Sequence, residues 1–106
     1  MAIESRNPAT GELIETFEPL PLAALEQKLA RAAEAFEEHR RVDVAVRAAC
    51  MTRAAEILEE EKEALGRLAP EEMGKPLTAA IAEAEKCAWV CRYYAEHARA
   101  FLADEV

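Results

Sequence analysis

Cys87 and Cys91 stand one helical turn apart in a stretch with helical periodicity, so their side chains tilt the same way. Two thiols at that spacing could ligate a metal, present a reactive nucleophile or simply fill a core. A tetrahedral metal site needs two more ligands, and neither His39 nor His97 lies at a finger-like spacing from the pair. Cys50 makes the count odd, which is not the signature of a disulfide framework. Buried, reduced core thiols are the expectation, and no metal is expected. Phosphate chemistry fares no better, because Gly11, Gly66 and Gly74 are the only glycines and cannot form a Gly-x-Gly-x-x-Gly turn.

The element that carries the cysteine pair dominates the chain. From Leu77 to Leu102 the residues Leu77, Ile81, Ala84, Ala88, Cys91, Ala95, Ala98 and Leu102 repeat at alternating steps of four and three. That spacing keeps them on one helical stripe. Ala80, Cys87, Tyr94 and Phe101 form a second line, and Trp89 with Tyr93 add a third. A helix apolar on several sides needs partners on several sides. About 26 residues at 1.5 Å each span roughly 39 Å, against a radius of gyration near 13 Å for a compact domain of about 100 residues. The stripe is therefore expected to be a contact surface for a second copy of the chain or for the remainder of a larger protein.

Composition limits the alternatives. The 106 residues allow at most one domain, and apolar residues, many of them alanine, make up 52%. Twenty-one acidic against thirteen basic residues give a net charge of −8, which argues against nucleic acid and anionic membranes as partners. No apolar run is long enough to span a membrane, and Glu4 and Arg6 interrupt any leader-like start. A cytoplasmic, reduced setting is the expectation.

The fold class implied is mainly α: an N-terminal β-hairpin within 1–18, then a helical segment over 21–106 with about four helices. Asn7-Pro8-Ala9-Thr10-Gly11 has the turn chemistry to join Ile3–Arg6 to Glu12–Phe17. Pro21 suits the first turn of a helix running to about His39, with Leu25, Leu29, Ala32 or Ala33 and Phe36 inward. Asp43 is a good N-cap for a second helix presenting Val46, Cys50, Ala54, Ile57 and Leu58 on one side. A third helix from about Glu60 should stop at Leu68, before Pro70. Met73-Gly74-Lys75-Pro76 then turns the chain into the long helix.

The most specific text is Glu72-Met73-Gly74-Lys75-Pro76 with the run from Ala80 to Glu96. Together with Asn7–Glu12 and Arg53–Leu58, it closely resembles the N-terminal region of NAD(P)-dependent aldehyde dehydrogenases, especially bacterial succinate-semialdehyde dehydrogenases. The resemblance covers essentially the whole chain in order. Two departures stand out: Val46 where the family commonly has Glu, and Ala69-Pro70-Glu71-Glu72 in place of a threonine-led Leu-Glu turn.

The resemblance implies a fragment more than an activity. Such enzymes join a Rossmann-type cofactor domain, a catalytic domain and an oligomerisation arm, and this chain corresponds to the helical lead-in. The family's nucleophilic cysteine, water-activating glutamate, oxyanion asparagine and cofactor-holding lysine all lie downstream. No catalytic role passes to Cys50, Cys87 or Cys91, and no cofactor is expected on this chain, although NAD or NADP is implied for the complete enzyme. One carry-over concerns the substrate entrance, which in related enzymes borders the long helix at positions matching Ala82 and Lys86. A lysine there suits an anionic substrate such as succinate semialdehyde; the plainer reading is a solvated lysine paired with Glu83 or Glu85. The competing expectation is a free-standing helical module that forms a homo-oligomer through the long helix.

Overall fold

The computed structural model describes residues 2–106. Strands β1 (Ile3–Arg6) and β2 (Leu13–Phe17) precede helices α1 (Leu22–His39), α2 (Val44–Glu60), α3 (Lys62–Met73) and α4 (Leu77–Phe101). The hairpin is antiparallel, with Ile3 opposite Phe17 and Arg6 opposite Leu13, and an irregularity between Ser5 and Arg6. Its turn forms as the residue types dictate. The Asn7 side chain accepts from the amides of Ala9 (2.9 Å) and Thr10 (3.3 Å), while Gly11 takes a φ of 77°.

Each helix end has a local cause. The Pro21 carbonyl accepts from the amides of Ala24 and Leu25 at the start of α1. Asp43 caps α2 by accepting from the Ala45 amide at 2.7 Å. Gly74, in the left-handed region at φ 71°, closes α3, with its own amide donating to the Pro70 carbonyl. The Pro76 carbonyl then accepts from Ala80 as α4 begins.

α3 corrects one expectation, since it runs through Pro70 to Met73 instead of ending at Leu68. A proline inside a helix removes one amide donor and crowds the carbonyl four residues earlier. Here that carbonyl belongs to Gly66. The cost falls within the last turns of a helix that the Gly74 cap holds closed.

Packing joins α2, α3 and α4, and α3 also touches β1. Among the described residues the buried apolar side chains are all small: Ala55 on α2 and Ala80 and Ala88 on α4. Small residues let helix axes approach closely, but they bury little area per residue. α1 buries no residue at all. Its expected inward face is exposed, with Leu29 62% and Phe36 61% accessible. The inward side of α2 agrees with the expected one only at Ala54 and Leu58. Val46, Cys50 and Ile57 are exposed, whereas Val44, Arg47, Ala48, Ala55 and Leu58 are buried or half-buried and Ala54 is half-buried. The radius of gyration is 18.5 Å, with extents of 56 × 40 × 24 Å. That is well above the ~13 Å of a compact domain of similar length.

Candidate functional site

The face of α4 that carries Ala82 and Lys86 faces outward, and both residues are exposed. Glu83, Lys86, Cys87, Val90 and Cys91 line one open groove of about 530 Å³ along this helix. The sequence brought Lys86 and the cysteine pair forward separately, and the fold places them together. Ala82 does not line the groove.

The carboxylates on either side of Lys86 are engaged elsewhere. Glu83 pairs with Lys75 across the α3–α4 turn, and that partner holds the Glu83 carboxyl below its ordinary value. Glu85 accepts from Lys62 on α3 at 2.8 Å. The pairing of Lys86 with Glu83 or Glu85 is thus corrected: both glutamates turn toward lysines of neighbouring elements. Lys86 makes no ion pair among the described residues and presents a free ammonium at the groove.

The cysteines also depart from expectation. Cys50 and Cys87 are exposed and Cys91 is half-buried, all three as free thiols. Cys50 lies on the outer side of α2, and Cys87 is exposed between the groove and a second hollow that it lines with Ala80 and Ala84. No group of three or more histidine, cysteine or acidic side chains is arranged to hold a metal among the described residues. His97 is occupied differently. Its Nδ1 lies 2.8 Å from the Tyr93 carbonyl and its ring stacks on Tyr93 at 4.3 Å.

The stripe from Leu77 to Leu102 divides into two parts. Ile81, Ala84, Ala88, Cys91, Ala95 and Ala98 are buried or half-buried, and α2 and α3 are the helices packed on α4. Only its ends, Leu77 and Leu102, are exposed. The middle of the expected contact stripe is thus half-covered within the chain itself. The bare side of α4 carries Trp89, Tyr93, Tyr94 and Phe101, linked by ring contacts such as Trp89–Tyr93 at 5.6 Å and Tyr94–Phe101 at 6.3 Å. Trp89 and Tyr93 stand four residues apart and Tyr94 and Phe101 seven, spacings that the sequence itself displays.

Sequence spacing gave no hint of the ion pairs that tie the helices together. Glu59 of α2 accepts from Arg92 of α4 at 3.0 Å, and Lys62 of α3 lies 3.6 Å from Glu59 and 2.8 Å from Glu85. The Arg92 hydrogen bond holds the Glu59 carboxyl below its ordinary value, aided by Lys62, and the Glu85 carboxylate raises the Lys62 ammonium.

A long helix, bare apolar faces on α1 and α4 and a hairpin that touches α3 leave much apolar surface uncovered by the described residues. The chain belongs to the aldehyde dehydrogenase family, whose model matches residues 1–106. It is 43% identical over its whole length to a probable NADP-dependent succinate-semialdehyde dehydrogenase of Synechocystis sp.. It is 44% identical over 99% of its length to succinate-semialdehyde dehydrogenase [NADP(+)] 1 of Mycobacterium tuberculosis. The chain spans 23% of the length of each of these relatives. Among solved structures it is similar to the succinic semialdehyde dehydrogenase of Streptococcus pyogenes determined with NADP+, at a TM-score of 0.89 and 30% identity. That match covers 94% of this chain and 22% of the other. The match lies in the N-terminal part of these enzymes, as the resemblance implied.

Proposed function

We propose that this chain is the amino-terminal helical lead-in of an aldehyde dehydrogenase whose complete form oxidises succinate semialdehyde to the acid with NAD or NADP. On its own the lead-in turns over no substrate. Covalent aldehyde oxidation needs a nucleophile and base within hydrogen-bond reach and a bound nicotinamide cofactor to accept hydride, and the groups here supply neither. The names of the relatives favour NADP over NAD and succinate semialdehyde over other aldehydes. The observation that carries the reading is the mismatch between shape and core. A chain whose fully buried apolar side chains are alanines adopts an extended form similar to part of an enzyme several times its length.

Within that enzyme, Lys86 borders the substrate entrance with Ala82, and its uncommitted ammonium attracts the distal carboxylate of the aldehyde. The apolar faces of α1 and α4 rest on the remainder of the enzyme or on a second subunit in a homo-oligomer. A reduced, cytoplasmic setting suits three free thiols.

Grafting tests this reading. Residues 1–106 replace the matching quarter of the Synechocystis relative, and NADP reduction is followed with succinate semialdehyde. Turnover by the chimera and none by the chain alone supports the proposal; a folded but inert chimera, or true turnover by the chain alone, overturns it. In the chimera, Lys86→Ala should raise KM for succinate semialdehyde more than for an uncharged aldehyde. Equal effects on both would remove Lys86 from the entrance.

A second reading keeps the chain as a self-associating helical module, favoured by the bare aromatic face at Trp89, Tyr93, Tyr94 and Phe101. Light scattering coupled to gel filtration over a hundredfold concentration range separates the two. A sharp, concentration-stable dimer or tetramer belongs to the module, whereas a monomer or polydisperse aggregate belongs to a segment awaiting its enzyme.

A further inference from the structure

We propose that Cys87 and Cys91 form a dithiol clamp for a soft, thiophilic centre that takes two sulfur ligands, trivalent arsenic being the ligand of that class we assign to it. The pair lines one open groove, with Cys87 exposed and Cys91 half-buried, so both sulfurs border the same accessible space. Neither thiol has a part in the enzymatic reading, and the clamp does not rest on it.

Geometry selects the ligand class by elimination. Residues four apart on a helix hold their Cβ atoms about 5–6 Å apart, whereas a disulfide needs about 3.5–4.5 Å. A direct S–S bond would therefore require α4 to unwind in its middle, beside the fully buried Ala88. One atom inserted between the sulfurs makes up that gap and leaves the helix intact. Zinc is a poor occupant, because it takes four ligands. The remaining acidic side chain of the groove, Glu83, is paired with Lys75. What remains is a soft centre satisfied by two sulfurs, since thiolates select soft centres over hard cations, and a monosubstituted arsenic(III), whose third bond is to carbon, has two such positions.

The chemistry balances without an oxidant. An organoarsenic(III) oxide condenses with the two thiols: two As–S bonds form, two S–H bonds break, and the oxo group leaves as water. Arsenic stays trivalent and both sulfurs keep their oxidation state. Cys50, exposed on another helix, is an internal control that offers a single thiol.

The experiment adds phenylarsine oxide to the full chain and reads intact mass, peptide mapping and alkylation of the remaining thiol. One arsenic per chain is expected, mapped to Cys87 and Cys91, with Cys50 still open to alkylation and the helical circular dichroism unchanged. The adduct should resist excess monothiol and yield to a small vicinal dithiol. Cys87→Ser and Cys91→Ser should each weaken binding by roughly a hundredfold or more, the advantage of a second tethered ligand, and Cys50→Ser should not. Cys87 is exposed, so its serine variant decides the matter if Cys91→Ser loses helicity. No adduct, an adduct that involves Cys50, or undiminished binding in Cys87→Ser would overturn the proposal.

Discussion

Gly66 of α3 lies against Ile81 of α4 so closely that a Cβ at Gly66 would stand 2.6 Å from Ile81 Cγ1 and 3.1 Å from its backbone nitrogen. The contact involves backbone as well as side chain. A rotamer change could clear Cγ1 but not the Ile81 nitrogen or its Cα at 3.2 Å.

Gly66→Ala should therefore destabilise the α3–α4 pair. Alanine gains up to about 1 kcal/mol over glycine in a helix interior, and overpacking a filled contact costs about 1–3 kcal/mol. The clash wins, with a net loss of roughly 1–2 kcal/mol read by urea unfolding. Adding Ile81→Ala removes Cγ1, so the double variant should lose less than the sum of the singles. Additive losses would mean that the helices do not meet at this point.

Glu59 and Lys62 give the stability a pH window. The folded Glu59 carboxyl titrates below its ordinary value of 4.5, chiefly through the Arg92 hydrogen bond. Its contribution is thus present above pH 4.5 and fades as pH falls through the lower folded value. The Glu85 carboxylate raises Lys62 above its ordinary 10.5, so that contribution holds below pH 10.5 and fades as pH climbs through the higher folded value. Both groups face solvent, so the effects are small and salt-screened. Glu59→Gln should flatten the acid limb of a melting-temperature profile at low salt and trim the alkaline limb only slightly, because Glu85 is the larger cause of the Lys62 shift. An unchanged acid limb would mean that the Glu59–Arg92 bridge contributes nothing in solution.

Asp43 holds the first turn of α2 through one hydrogen bond to the Ala45 amide. Asp43→Ala should cost about 0.5–2 kcal/mol, and Asp43→Ser much less, because serine also caps. Amide exchange should quicken at Ala45 and Val46 before the rest of the helix. Uniform acceleration along α2 would place the loss in packing instead of the cap.

Local rules were legible in the sequence wherever one residue decides. Asn7 and Gly11 specified the hairpin turn, Asp43 the start of α2, and the Pro76 boundary the start of α4. The side each helix turns inward was less legible, because periodicity marks an apolar face without saying what covers it. α1 shows this most clearly: Leu29 and Phe36 form an inward-looking face that no element of the described chain covers. Pro70 does not end α3, because a late-helix proline followed by a glycine cap is tolerated where an uncapped one is not. At the groove, Lys86 drew attention through family resemblance, but its lack of a partner depended on Lys62 and Lys75 capturing Glu85 and Glu83 from other elements. Those captures span 23 and 8 residues, beyond any same-helix pairing rule.

Trp89 is the sole tryptophan and is 60% exposed on the bare face of α4. It stacks on Tyr93, but nothing else among the described residues encloses it. Its fluorescence should therefore be that of a water-exposed indole and be readily quenched by iodide. A large exposed apolar patch is a site of association, so a hydrophobic dye should bind the chain and scattering should rise with concentration. Trp89→Ser combined with Phe101→Ser should lower both signals, with stability changing by no more than about 1 kcal/mol, since neither side chain is buried. In the chimera the same pair should instead be destabilising if α4 lies against the remainder of the enzyme. A blue-shifted, quencher-resistant Trp89 in the isolated chain would show the aromatic face already covered by a second copy. That result would favour the self-associating module over the segment of an enzyme.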